Sequence, residues 1–143
     1  MLNQNNNPSP KAISHLERVL SFRLKQRLKI IDLNLTVEEY RTLFYLWIDN
    51  GLTQNELAEK AFKEKSLITK TINSLEKKGL INRKRKKDDK RNKQIFLTEI
   101  AKQLQQKAQK CANHITSIAE QDISNHDLEV FFKVINKMEE NLK

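Results

Sequence analysis

Only two glycines and two prolines interrupt this chain of 143 residues. With so few breakers, the sequence favours helices joined by short turns. Apolar spacing agrees. Ile13, Leu16, Leu20, Leu24, Leu28 and Ile31 recur every three or four positions, the pattern of an amphipathic helix of about five turns. Ser9 is expected to cap it, with Pro10 at the first helical position, where a missing N–H is harmless. Residues 1–8 read as a disordered lead-in. Thr36-Val37-Glu38-Glu39 has the form of a capping box, and its helix should bury Val37, Tyr40, Leu43, Phe44 and Trp47 before Asn50-Gly51 ends it.

Thr53-Gln54-Asn55-Glu56 is a second box, opening a short helix with Leu57, Ala58 and Ala61 inside. A turn through Phe62 to Glu64 leads into a helix over 65–78, stopped by Gly79. Residues 80–84 and 94–97 read as short strands. Thr98 is placed to cap a long helix with the stripe Ile100, Leu104, Ala108, Cys111, Ile115 and Ile118. Ser124-Asn125-His126-Asp127 resembles a third box, before Leu128, Phe131, Phe132, Ile135, Met138 and Leu142. The fold class is therefore mainly α with a small β-wing: six helices and a two- to three-stranded antiparallel hairpin. One continuous domain is expected, with a central lobe over 35–98 and outer helices over 9–34 and 99–143.

Charge is distributed unevenly. Residues 60–93 carry 14 Lys/Arg and 4 Asp/Glu, a net +10, while the whole chain is +9. A block this concentrated is the electrostatic footprint of a polyanion-binding surface. At 38% hydrophobic and 31% charged, the composition fits a soluble globular chain. No apolar run approaches the ~20 residues that span a bilayer, so no membrane partner is expected. The Asn-rich start shows no secretory signal. The lone Cys111 excludes an intramolecular disulfide and fits a reducing, cytoplasmic setting.

The 65–78 helix has two faces. Ile68, Ile72 and Leu75 should anchor it, leaving Ser66, Thr69, Lys70, Asn73 and Lys77 on the other side. Hydroxyls, an amide and ammonium groups at that spacing suit phosphates and base edges in a major groove. Leu67 borders the stripe and can meet a thymine methyl. A simply solvated polar face is the ordinary alternative. A capped helix before it and a basic hairpin after it make a helix-turn-helix with a wing.

On these residues the chain resembles the MarR family of bacterial transcription factors. The resemblance is carried by Leu52-Thr53-Gln54-Asn55-Glu56-Leu57-Ala58, Ser66-Leu67-Ile68-Thr69-Lys70, Leu75-Glu76-Lys77-Lys78-Gly79-Leu80-Ile81, Asp89-Lys90-Arg91 and Leu97-Thr98-Glu99. It implies a winged helix-turn-helix homodimer that binds double-stranded DNA at a palindromic operator, usually as a repressor. Arg91 would enter the minor groove with Asp89 holding the loop, while Arg85, Lys86, Lys87 and Lys93 would hold phosphates. Leu67 departs from the family, where a small polar residue is common. A small aromatic or anionic effector is implied as well, and no residue identifies it.

The outer helices carry more apolar surface than one chain can cover, so Ile13, Leu16, Leu20, Phe131, Phe132, Ile135 and Met138 are expected to join a second copy. The alternative is a monomer whose end helices fold back. No cofactor or metal site is expected, because Cys111, His114 and His15 fall short of a zinc signature. Asp88 and Asp89 lack the further carboxylate a metal-dependent nuclease needs, so no catalysis is expected. A winged helix that binds only protein, or a basic run that is a solvated loop or localisation tag, remain the other readings.

Overall fold

The computed structural model describes residues 5, 8–86 and 89–143, with backbone alone for residues 86 and 89–91. The element order is α1 (Ser9–Ile30), α2 (Val37–Ile48), α3 (Gln54–Ala61), α4 (Lys65–Lys77), β1 (Ile81–Lys86), β2 (Asp89–Leu97), α5 (Glu99–Ala119) and α6 (Asn125–Leu142). No helix among the described residues is long and apolar enough to cross a membrane.

Local chemistry sets most helix starts. Thr36, Thr53, Thr98 and Ser124 each accept a hydrogen bond from the backbone N–H three residues on. Only Thr53 completes a box, its own N–H donating to Glu56 Oε2 at 2.9 Å. The boxes expected at Thr36 and Ser124 are half formed. At the first, the Glu39 carboxylate turns inward to other partners. The expected Ser9 cap is also corrected. Pro8 is the N-cap and Ser9 is already helical, because the Pro8 carbonyl accepts from the N–H groups of Lys11 and Ala12. Of the expected lead-in, only Asn5 and Pro8 lie within the described residues.

Two apolar clusters form the interior. The larger gathers Leu43 and Leu46 of α2, Leu57 of α3, Ile68, Ile72 and Leu75 of α4, Ile81 and Ile95 of the hairpin, and Ala101 of α5. The smaller joins Leu28 and Leu33 to Ala108 and Cys111 of α5. Trp47 and Leu104 pack against both, and the Trp47 indole N–H donates to the Ala101 carbonyl at 3.0 Å. Phe44, expected inside, is 46% exposed, whereas Thr42 and Leu46 are buried. From residue 43 to residue 48 α2 is apolar at every position, so the inward side of that half is chosen by packing and not by sequence period. Ile100 and Ile118 also leave the expected stripe, at 59% and 58% exposed. α6 has no buried side chain, with Leu128, Ile135 and Met138 half covered.

β1 and β2 pair antiparallel, with Ile81 opposite Leu97, Arg83 opposite Ile95 and Arg85 opposite Lys93. Both strands run further into the basic segment than apolar alternation predicts, since backbone pairing carries them. An isolated bridge between Thr53 and Gln94 adds the trace of a third strand. This seam depends on Gly51. Its φ is +92°, its N–H donates to Ile95 O at 2.9 Å, and an added Cβ would lie 2.8 Å from Phe96 Cε1. Gly79 has φ +70° with open space around it. Gly51→Ala therefore combines backbone strain with a ring clash and should lower unfolding free energy by ~3 kcal/mol in urea titration. Gly79→Ala, with strain alone, should lose about 1 kcal/mol.

Candidate nucleic-acid interface

α4 buries Ile68, Ile72 and Leu75 and turns its remaining side outward. Ser66, Lys70, Asn73 and Lys77 are exposed, Thr69 is half-buried, and with Ser74 they line one shallow trough of about 470 Å³. The five polar residues of the stripe are thus brought together, and Leu67, 46% exposed, lies outside the trough lining. The helix ends at Lys77, one residue earlier than expected, because Leu80 N–H returns to Leu75 O at 3.0 Å through Gly79.

Two stripe residues also serve the scaffold. Thr69 donates its hydroxyl to the Lys65 carbonyl at 2.8 Å and accepts from Gln54 Nε2, a strut between α3 and α4. Asn73 Oδ1 accepts from Arg83 Nη2, and Arg83 Nε lies 3.5 Å from Glu76 Oε2. Asn73 is thus engaged through its carbonyl oxygen, not its amide hydrogens. Sequence reasoning passed over both Gln54 and Arg83. Strand alternation could have found Arg83, which shares the inward side of β1 with Ile81.

The hairpin carries positive charge alongside this trough. Arg85 and Lys93 stand opposite one another in the register, a cross-strand like-charge pair that is unfavourable unless an anion lies between or beside them. Lys84 Nζ sits 5.2 Å from the Phe96 ring centroid, a cation–π contact that directs it to the hairpin's own surface. Lys87 lies outside the described residues, as do the side chains of Lys86, Asp89 and Arg91.

A buried charge fixes the far end of α4. Glu39 is 4% exposed; its carboxylate accepts from Lys78 Nζ at 2.7 Å and from Ser74 Oγ at 3.1 Å. Lys78 Nζ also donates to the Asn34 carbonyl at 2.8 Å. The pair clamps the C-terminal end of α4 to α2 and so helps set the tilt at which the stripe is displayed. No group of three His, Cys, Asp or Glu side chains that would hold a metal occurs among the described residues.

A helix-turn-helix whose second helix displays a polar stripe beside a basic hairpin defines a winged-helix DNA-binding protein. The MarR family profile matches residues 35–93. The organic hydroperoxide resistance transcriptional regulator of Bacillus subtilis is 33% identical over 105 residues, 73% of this chain and 70% of the relative. The Staphylococcus aureus MepR–DNA complex superposes with TM-score 0.82 at 25% identity, over 92% of this chain and 96% of that one. The transcriptional regulator SlyA gives TM-score 0.87 at 23% identity, over 95% and 94% of the two chains. The chain belongs to the MarR family and is a DNA-binding transcriptional regulator, not an enzyme.

Removing the ammonium of the clamp should strand a buried carboxylate. Lys78→Met is expected to destabilise the protein by ~2 kcal/mol, short of a fully buried pair because Lys78 is partly solvated. Lys77→Met, on the exposed stripe, should stay within about 0.5 kcal/mol in the same urea titration.

Proposed function

We propose that this regulator binds a palindromic operator as a homodimer and acts as a repressor released by a small aromatic or anionic ligand. Ser66, Leu67, Thr69, Lys70, Asn73 and Lys77 face the major groove. Arg85, Lys86, Lys87 and Lys93 hold phosphates, and Arg91 enters the minor groove, where a narrow groove concentrates negative potential. Asp89 holds the loop that carries Arg91. The lobe over 35–98 reads DNA, and the helices over 9–34 and 99–143 join the two copies. The setting is the cytoplasm. The observation that carries the DNA assignment is the polar stripe of α4 gathered in one trough, with the basic hairpin joined to it through Arg83 and Asn73.

Exposed apolar surface supports the second copy. The chain has 10986 Å² accessible, against ~7,700 Å² for a compact monomer of its mass. The excess is larger than the ~1,000–2,500 Å² that each chain of an obligate homodimer buries, so it leaves room for such an interface. Ile13, Leu16, Phe131 and Phe132 are 41–55% exposed, and Leu20, Ile135 and Met138 are half covered. A groove of about 530 Å³ between α1 and α5, lined by Leu16, Leu20, Ile115 and Ile118 among others, extends the same surface. Two-fold symmetry would set the reading helices about 34 Å apart, on successive major grooves. An effector that binds the DNA-incompetent arrangement better shifts that spacing.

The hydroperoxide response named for the Bacillus relative is not extended to this chain. Cys111 is 3% exposed, and burial pushes its thiol pKa up, so little reactive thiolate forms at neutral pH.

Two measurements test this reading. Affinity for a duplex selected from a random pool should fall ~10³–10⁵-fold between 50 and 200 mM salt if six to ten phosphates are neutralised. Arg91→Ala should weaken that binding while leaving the dimer intact; unchanged affinity removes the wing from the mechanism. In sedimentation at micromolar concentration the protein should run as a dimer. A monomer of 16.9 kDa that still holds the selected duplex tightly defeats the two-fold arrangement.

A further inference from the structure

Phe62 is held out of the fold by its own backbone. It closes α3 in the left-handed region, at φ +50° and ψ +44°, with its N–H directed to the carbonyls of Ala58 and Glu59. Its ring is 93% exposed. Glycine would make this turn without strain, and any polar residue would be better solvated. A bulky residue in this conformation is an outlier, and here no packing compensates for it. Such an outlier is a reason to look for function.

The surroundings say what the ring would meet. Phe62 lines an open depression of about 870 Å³ with Asn55, Glu59, Lys63, Lys65 and Ser66, among others. Ser66 lines the trough of α4 as well, so the two surfaces are continuous at the leading end of the reading helix. Lys63 and Lys65 are exposed beside the ring. Glu64, the N-cap of α4, makes no side-chain cap bond and places an exposed carboxylate at the positive end of that helix. Glu59 and Glu64 balance these two ammonium groups in the lining, so what the depression adds to the trough is the aromatic ring, with a lysine near it on either side in the chain.

We propose that Phe62 is a further DNA-contacting residue, packing its ring on the hydrocarbon surface of the duplex while Lys63 and Lys65 meet the flanking phosphates. The hydrocarbon is a thymine methyl in the major groove or the face of a deoxyribose at the groove wall. The inference rests on the DNA-reading role of α4 and adds an apolar contact at the edge of each half-site.

The test uses the full chain, a duplex selected from a random pool by the wild-type protein, and a scrambled duplex, with fluorescence anisotropy as readout. Phe62→Ala and Phe62→Gly should weaken the selected duplex by about three- to tenfold, as loss of one apolar contact does. The salt slope should be unchanged, and Phe62→Leu should stay within about twofold of wild type. Phe62→Gly should unfold at the same or higher urea concentration, which separates lost contact from lost fold. Deoxyuridine replacing thymine, one position at a time, distinguishes the two hydrocarbons. If one substitution weakens wild type but not Phe62→Ala, the methyl is the partner; if none does while the variants remain weaker, the deoxyribose is. Wild-type affinity for both Ala and Gly variants, or a shallower salt slope in Phe62→Ala, overturns the contact and leaves the DNA reading standing. A wild-type protein that retains no duplex at all overturns both.

Discussion

Burial of one side of α4 is the constraint on which the rest of the structure turns. Ile72 and Leu75 have no exposed surface, and Ile68 has almost none. A helix anchored this firmly has no rotational freedom, so the outward direction of Ser66, Lys70 and Asn73 follows from the apolar side. Glu39 and Lys78 add what hydrophobic burial cannot, a directional contact that fixes one end. Apolar packing selects the side displayed; the ion pair and the Thr69–Gln54 and Asn73–Arg83 contacts fix how it is held.

The hairpin follows a different logic. Its base is well satisfied, with Ile81 and Ile95 buried and Gly51 permitting close approach to β2. Toward the tip, basic side chains face one another across the strands, an arrangement that weakens the free protein. A surface that is unfavourable alone and favourable beside a polyanion concentrates binding energy in the complex. The same description suits Phe62 at the other end of the reading surface, where the unfavourable element is backbone conformation and a solvated ring.

What the sequence discloses is what is local. Thr53 and Glu56 lie three residues apart, and their reciprocal bonds follow from that spacing. The anchor triplet of α4 is equally legible, because helical period alone puts Ile68, Ile72 and Leu75 on one side. The wing was legible as two short strand patterns flanking a basic run, and the MarR resemblance, carried by short motifs within 52–99, agreed with it. Glu39 was misread because its partners, Ser74 and Lys78, are 35 and 39 residues distant, and a local carboxylate role was available to mislead. Phe44 was misplaced because α2 offers apolar residues on every side and only the tertiary contacts choose among them. The basic strands were shortened because charge has no period that marks a strand; pairing with a neighbour supplies it.

Trp47 and Leu104 belong to both interior clusters, and the indole N–H is bonded to the first turn of α5. α5 has 21 residues, about 31 Å of rod, bonded to Trp47 near its start. Midway along it, Ala108 and Cys111 are held against Leu28 and Leu33 as well. The indole thus ties the start of α5 to the lobe that carries α4, so the orientation of the one bears directly on the other through a rigid rod and a single hydrogen bond.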